Sequence, residues 1–321
     1  STSVNLYKLV VAGAESRPGR DVFVSCADDC PTDRYIVAGV ARDRGMTVRE
    51  VPADLDEGLD PEGLAAALDE RVAVVVLSHV AYRSGALADL AAITRLVHDA
   101  GALVLWDLSH SAGAVPVGLT AAGADLAVGC SYKYLNGGPG APAFLYVRRD
   151  LQEELRSPIQ GWFGTRDQFA MGPVYEPAPG IERFGVGTPP VLAMAALDVG
   201  ARLVAEAGVE RLAAKGRVMT TLLIELADAW LSPQGVRLAS PRDAGRRGSH
   251  VTLAHPQAWQ LTQALISRGV VPDFRTPDRL RLGPAPLYTR FVDVWDAMDR
   301  LRTVLADDVH EAFPPERARV T

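Results

Sequence analysis

The stretch DLAVGCSYKYLNGGPGAPAFLYV (residues 125–147) places two apolar runs around a loop. DLAVGC (Asp125–Cys130) and APAFLYV (Ala141–Val147) are short, rich in strand formers and bounded by turn residues, which predicts buried strands. Between them SYKYLNGGPG (Ser131–Gly140) holds one lysine between two tyrosines, followed by a Gly- and Pro-rich turn. Lys133 therefore stands just past a core strand. Apolar neighbours there can lower an amine pKa and make the lysine a nucleophile toward an aldehyde. The plain alternative is a lysine reaching out to solvent.

The residues before this stretch alternate. DVFVSC (Asp21–Cys26), MTVREVP (Met46–Pro52), VAVVVLSHV (Val72–Val80) and ALVLWD (Ala102–Asp107) read as strands. Asp33–Asp43, Pro61–Asp69 and Leu87–Ala100 between them read as helices. Such alternation predicts an α/β fold: a mostly parallel sheet with helices on both faces and ligand-binding strand ends along one edge. Ser157–Arg183, with GWFG (Gly161–Gly164) and PAPG (Pro177–Gly180), breaks the pattern as a long loop. Beyond it come helices at Pro190–Ala207, Val209–Trp230, Gln257–Arg268 and Phe291–Leu305. Strands are expected at Val236–Ala239, His250–Ala254, Val270–Phe274 and Leu280–Gly283. This is a small α+β unit. The expected domains are a large one over 1–190 and a small C-terminal one over 191–321.

Composition narrows the classes. A chain of 321 residues, 48% hydrophobic and 22% charged, is long enough for two globular domains. A net charge of −6 argues against a nucleic-acid surface or an anionic membrane as partner, and no apolar run reaches the length of a membrane span. Cys26, Cys30 and Cys130 are too few for a disulfide framework, so a reducing cytoplasm is the expected location. Cys26 and Cys30 have no second Cys/His pair at ligand spacing, and no metal site is expected. The opening residues STSVNLYKLV read as the interior of a domain, so a further N-terminal portion is expected outside this sequence.

Two more features sit at predicted element ends. In WDLSHSAGAVP (Trp106–Pro116), Asp107 closes a wholly apolar strand and His110 follows three residues later. A buried carboxylate needs a partner, and a protonated pyridine nitrogen would serve; a helix N-cap is the alternative. Ser1, Thr2 and Ser3 precede a helix-like segment, where hydroxyls and free N–H groups make an anion site or an ordinary cap. A lysine for an aldehyde, an acid for a ring nitrogen and a helix start for a phosphate are together what pyridoxal 5'-phosphate requires.

Trp106–Pro116, Ser131–Ala141 and Gly161–Gly164, as quoted, resemble kynureninase, over nearly the whole chain. The resemblance implies the aminotransferase-like fold of fold type I pyridoxal phosphate enzymes and a homodimer with a shared active site. It implies hydrolytic cleavage of the Cβ–Cγ bond of L-kynurenine, or of a ring-substituted kynurenine, to an anthranilate and L-alanine. Lys133 would bond to the cofactor aldehyde and shuttle the α-proton. Tyr132, Thr2 and Ser3 would touch the phosphate, Asp107 the pyridinium nitrogen, and His110 the ring oxygen or phosphate. Asp33, in CPTDRY (Cys30–Tyr35), matches another cofactor-contacting acid. Trp162 and Thr188 match residues that reach the cofactor or substrate across the dimer, and Arg281 matches the arginine that grips the substrate carboxylate. His79 and Tyr82, in SHVAYRSG (Ser78–Gly85), match a stretch near the substrate; Tyr82 is taken as substrate-binding, with packing as the alternative for both. Gly187, before Thr188, resembles forms that favour kynurenine over its 3-hydroxy derivative.

Cys30 departs from the family, which usually has a stacking Phe there, and sits in the cofactor-binding set as a smaller substitute. Gly118 stands where the family often has Asp. His98, His250, His255 and His310 are expected at the surface, and Gly245–Arg247 as a solvated loop. Two rivals remain. Another pyridoxal phosphate lyase such as a cysteine desulfurase needs a nucleophilic cysteine on a mobile loop, which Cys26, Cys30 and Cys130 do not suit. A non-catalytic homologue would not hold the cofactor.

Overall fold

β-branched runs without internal polar residues bury both faces, and a parallel sheet between two helical layers is the arrangement that allows it. The computed structural model describes residues 1–316. Its first half contains α1 (Thr2–Glu15), β1 (Val22–Cys26), α2 (Pro31–Arg44), β2 (Thr47–Val51), β3 (Ala53–Asp54), β4 (Gly58–Leu59), α3 (Pro61–Ala66) and β5 (Val72–Ser78). These are followed by α4 (Leu90–Asp99), β6 (Leu103–Asp107), α5 (Leu119–Ala122), β7 (Leu126–Gly129) and β8 (Phe144–Val147). Six strands form one sheet in the order β2-β1-β5-β6-β7-β8. The pairs from β2 to β7 are parallel, and β8 closes the edge antiparallel to β7.

Alternate side chains go to opposite layers, as strand geometry requires. Phe23, Val76, Leu105 and Val128 pack against Leu6 and Leu9 of α1 and Val37 and Val40 of α2. Val24, Val75, Leu77 and Trp106 pack on the other face with Leu64 of α3 and Leu90, Ile93 and Val97 of α4. Asp89 caps α4 by accepting from the Ala92 N–H at 2.9 Å, so that helix starts at Leu90 instead of the expected Leu87. Leu87 instead bridges Val80 and closes a tight hairpin.

The second half contains α6 (Val191–Ala207), α7 (Val209–Trp230), β9 (Arg237–Leu238), β10 (Val251–Ala254), α8 (Ala258–Ser267), β11 (Asp273–Arg275), β12 (Arg279–Leu282) and α9 (Phe291–Ala306). Its strands form an antiparallel sheet in the order β11-β12-β10-β9. Met219 and Leu223 of α7, Leu261 and Leu265 of α8, and Met298 and Leu301 of α9 share its core. Residues 317–321 of the expected C-terminal unit lie outside the described residues. The long loop is ordered by two 3-10 turns, Trp162–Gly164 and Gly180–Phe184, and a Thr165–Pro177 bridge.

The Val80–Leu87 hairpin ties the halves together. Ala86 bridges Arg247, the Gly248 N–H donates to the Gly85 carbonyl at 2.8 Å, and the Ser240 and Thr252 hydroxyls donate to the carbonyls of Ser84 and Arg83. Arg247 corrects the expectation of a solvated loop. It is buried, and its guanidinium is satisfied by Thr220 and by the carbonyls of Pro241 and Arg242.

α6 crosses the lysine loop at Gly200, where a Cβ would lie 2.4 Å from the Asn136 carbonyl oxygen. Gly200→Ala should therefore destabilise the protein by about 1–3 kcal/mol. At Gly39 in α2 an added Cβ meets nothing within 4 Å, and Gly39→Ala should stabilise by about 0.5–1 kcal/mol. Urea unfolding of the two variants checks the opposite signs.

Candidate active site

Strand direction reverses its build-up between β1 and β5. The chain grows outward from β1 to β2 and then from β5 towards β7, so the carboxyl ends of β1 and β5 flank a switch point, the usual place for a ligand in such sheets. Asp29 lies in the turn after β1 and accepts from the N–H of Ser78, at the end of β5, at 3.0 Å, and from the Cys26 N–H at 3.1 Å. Asp33 lies in the first turn of α2, and Asp107 ends β6.

Asp33 and Asp107 are both buried, and their side chains share a hydrogen bond. Burial, then the negative charges of Asp107 and Asp29, push the Asp33 carboxyl up to about 9. Asp33 Oδ2 has no hydrogen-bond partner among the described residues. Asp107 Oδ1 accepts from the Ser109 N–H at 2.9 Å and its hydroxyl at 2.6 Å. The helix-cap alternative for Asp107 fails, because the next helix, α5, starts only at Leu119.

Lys133 follows β7 on a loop that turns by left-handed backbone at Asn136, Gly138 and Gly140, which explains the Asn/Gly content. Its Nζ lies 3.0 Å from His110 Nε2. Burial lowers its pKa, and burial with the Lys133 charge holds His110 well below the ordinary histidine value. Neutral His110 thus accepts at Nε2 while Lys133 donates. The chain has three lysines. Lys8 donates to the Phe184 carbonyl at 2.7 Å, and Lys215 donates to those of Pro286 and Thr289. Lys133 is thus the lysine whose amine faces a cleft.

The cleft has a volume of about 950 Å³. Cys30, Tyr82, His110, Tyr132, Lys133 and Arg281 line it, so six expected residues meet there. Arg281 Nε donates to Asp273 Oδ1 at 2.9 Å, and its Nη1 donates to the Tyr82 carbonyl. Thr2 and Ser3 open α1, where the Ser1 hydroxyl accepts from the Val4 N–H at 3.4 Å. Gly13, near the other end of α1, packs on Val74, Leu103 and Leu126 at the starts of their strands. The N-terminus of α1 therefore points towards the carboxyl edge of the sheet, although Thr2 and Ser3 do not line the cleft. Trp162, Gly187 and Thr188 are exposed and stand apart from it within one chain.

His79 lines a different cavity of about 690 Å³ and packs edge-on against Trp106 with ring centres 5.9 Å apart. Burial lowers its pKa to about 4, and its Nδ1 has no hydrogen-bond partner among the described residues. The surface expectation for four histidines is corrected. His250 is buried in the cleft wall with its ring 5.6 Å from that of His110. His310 is buried on Gln257, His98 is half-buried on Asp125, and His255 is half-buried with Nδ1 accepting from the Gln257 N–H. Each ring has found a polar partner or a pocket that sequence position alone does not reveal. Asp29, Asp273 and Arg275 are further site residues that the sequence reading did not single out.

These residues fit pyridoxal phosphate. The orphaned Asp33 oxygen and the acid pair call for a cation such as a protonated ring nitrogen. A desolvated amine stands nearby, and a helix N-terminus lies on the same edge of the sheet.

The comparisons agree. The family model "Kynureninase C-terminal domain" matches residues 212–301. A kynureninase of Burkholderia mallei is 44% identical over 99% of this chain and 77% of its own length. One from Pseudomonas fluorescens is 44% identical over 95% of this chain and 73% of its length. Among solved structures, a cysteine desulfurase from Thermococcus onnurineus superposes with a TM-score of 0.83 at 18% identity, covering 95% of this chain and 78% of that one. That likeness shows the fold, the one this cysteine desulfurase has. At the level of sequence the chain belongs to the kynureninase family.

A carboxyl whose pKa is higher folded than unfolded holds its proton in the native state. The stability it confers is complete below about pH 4 and is lost as pH climbs towards the folded value. Cofactor-free protein should therefore lose stability between pH 6 and pH 9. Asp33→Asn, which cannot ionise, should lose less over the same interval, as measured by urea unfolding at both pH values.

Proposed function

We propose that this protein is a kynureninase that hydrolyses the Cβ–Cγ bond of L-kynurenine, giving anthranilate and L-alanine. The observation that carries the reading is the Lys133–His110 contact at 3.0 Å in a cleft shared with Arg281 and backed by the Asp33–Asp107 pair. Bound pyridoxal phosphate supplies an aldehyde for the substrate amine and a ring that draws electrons from the substrate's α-carbon.

The chain's own residues supply the rest. Asp107 would hold a proton on the ring nitrogen, with Asp33 beside it as a further acid in contact with the cofactor. Arg281 orients the substrate by its carboxylate, and Tyr82, whose carbonyl fixes Arg281, flanks it. Lys133, its pKa lowered by burial, takes the α-proton at Nζ and can return it, with His110 accepting the hydrogen bond that aims the amine. Water adds at the γ-carbonyl, the Cβ–Cγ bond breaks with its electron pair left on Cβ, the aryl carboxylate leaves, and Cβ takes up a proton to give the alanine side chain. Tyr132 and the α1 start, Thr2 and Ser3, serve the phosphate. The thiol route of a desulfurase is disfavoured, because burial raises both the Cys26 and the Cys30 thiols.

The working unit is a homodimer. Support comes from apolar side chains left open on α6 and the 157–187 stretch, with Leu192 90% and Phe169 80% exposed and Trp162 edge-on to Phe169. Trp162, Gly187 and Thr188 would then serve the partner's cleft. The large domain ends at 190 and the small one begins at 191. The three free thiols suit the cytoplasm, and no described helix is long and apolar enough to cross a membrane.

Protein loaded with pyridoxal phosphate should release fluorescent anthranilate from L-kynurenine, and Lys133→Ala should lose at least about 10²–10⁴-fold of that rate. Retained turnover in the variant would refute the assignment. Sedimentation of the same sample at twice the 34.3 kDa chain mass tests the dimer.

A further inference from the structure

Two guanidinium groups meet on one carboxylate in the cleft, and they are not equivalent. Asp273 and Arg275 are two residues apart on β11 and share a face, and Asp273 sits opposite Arg281 on β12. Arg281 is firmly held and keeps an Nη2–H to spare. Nε donates to Asp273 Oδ1 at 2.9 Å, Nη2 to Oδ2 at 2.5 Å, and Nη1 to the Tyr82 carbonyl, with His110 Nε2 at 3.4 Å. Its side chain is 10% exposed. Arg275 is loosely held. Nη1 donates to the Phe274 carbonyl at 2.8 Å, and Nη2 lies 3.3 Å from the same Asp273 Oδ2. Its side chain is 32% exposed, and its Nε–H has no acceptor among the described residues.

Charge accounting separates their roles. The charged groups lining the cleft are Lys133, Arg275, Arg281 and a single acid, Asp273. His110 and His250 are neutral, because burial and the neighbouring cations hold both well below the ordinary value. Lys133 is committed to the aldehyde under the proposed function, on which this inference rests. Asp273 compensates Arg281. A matched pair orients a ligand but attracts an anion weakly, whereas an uncompensated cation attracts it strongly.

We propose that Arg275 is a second carboxylate-binding residue, which supplies the uncompensated charge that makes this cleft select a free α-carboxylate over its neutral amide. Arg281 sets the carboxylate's direction. Arg275 binds the outer oxygen through its free N–H groups and draws the anion in.

The test compares L-alanine with L-alaninamide on the pyridoxal phosphate-loaded protein by titration calorimetry, so it does not depend on kynurenine being a substrate. Wild type should prefer the acid. Arg275→Met should weaken alanine binding by about tenfold or more and leave alaninamide nearly unchanged. Arg275→Lys, which keeps the charge, should retain part of the preference. With kynurenine, Arg275→Met should raise KM and leave kcat within about threefold. An unchanged acid-to-amide ratio in Arg275→Met would overturn the proposal, and so would equal losses for both ligands, which would mark a merely structural role. Failure of kynurenine turnover in wild type, with the alanine preference present and lost in Arg275→Met, would count against the substrate and leave Arg275's role standing.

Discussion

Two carboxyl groups, Asp33 and Asp107, are buried against one another at the end of a parallel sheet without an ion-pair partner among the described residues. Isolated burial of this kind is costly unless a proton or a cation relieves it. The sheet imposes it. β1, β5, β6 and β7 run parallel, so whatever follows each strand is delivered to the same edge. Asp29, Ser78, Asp107 and the lysine loop arrive there from four separate strands. The apolar cores on both faces hold those strands in register and so keep the acids together. The protein stores an electrostatic need that a cationic ring nitrogen would satisfy.

The antiparallel half contributes the other pole of the site. β11 and β12 carry Asp273, Arg275 and Arg281 into the cleft, and His250 enters from the start of β10. The Val80–Leu87 hairpin makes this placement reliable. It belongs to the first half by chain order but is bonded along its length to the second, and it carries Tyr82, whose carbonyl holds Arg281. The acids thus come from the parallel sheet and the cations from the antiparallel one, and the cleft holds Lys133 together with Arg275 and Arg281. Polarity across the cleft orients an amino acid before any chemistry begins.

Local pattern made much of this legible. Unbroken runs such as VAVVVLSHV (Val72–Val80) could only be buried strands, and their spacing implied crossover helices. The Gly- and Pro-rich turn after Lys133 announced a tight loop beside a core strand. What stayed hidden depends on contacts distant in sequence. His250 meets His110 across 140 positions of chain, and nothing near it distinguishes it from a surface histidine. Arg247 looked solvated because its partners, Thr220 and two carbonyls, come together only on folding. Asp273 and Arg275 act as a pair with β12 and carry no signal singly. Trp162 and Thr188 were singled out through family resemblance, and one chain alone does not bring them to the cleft.

The most direct test is to reduce the pyridoxal phosphate-loaded protein with borohydride and map the pyridoxyl label by peptide mass spectrometry. The account predicts a single label on Lys133, the one lysine of three that, among the described residues, donates to no backbone carbonyl and faces the cleft. A label on Lys8 or Lys215, or no label on any of the three, would contradict it.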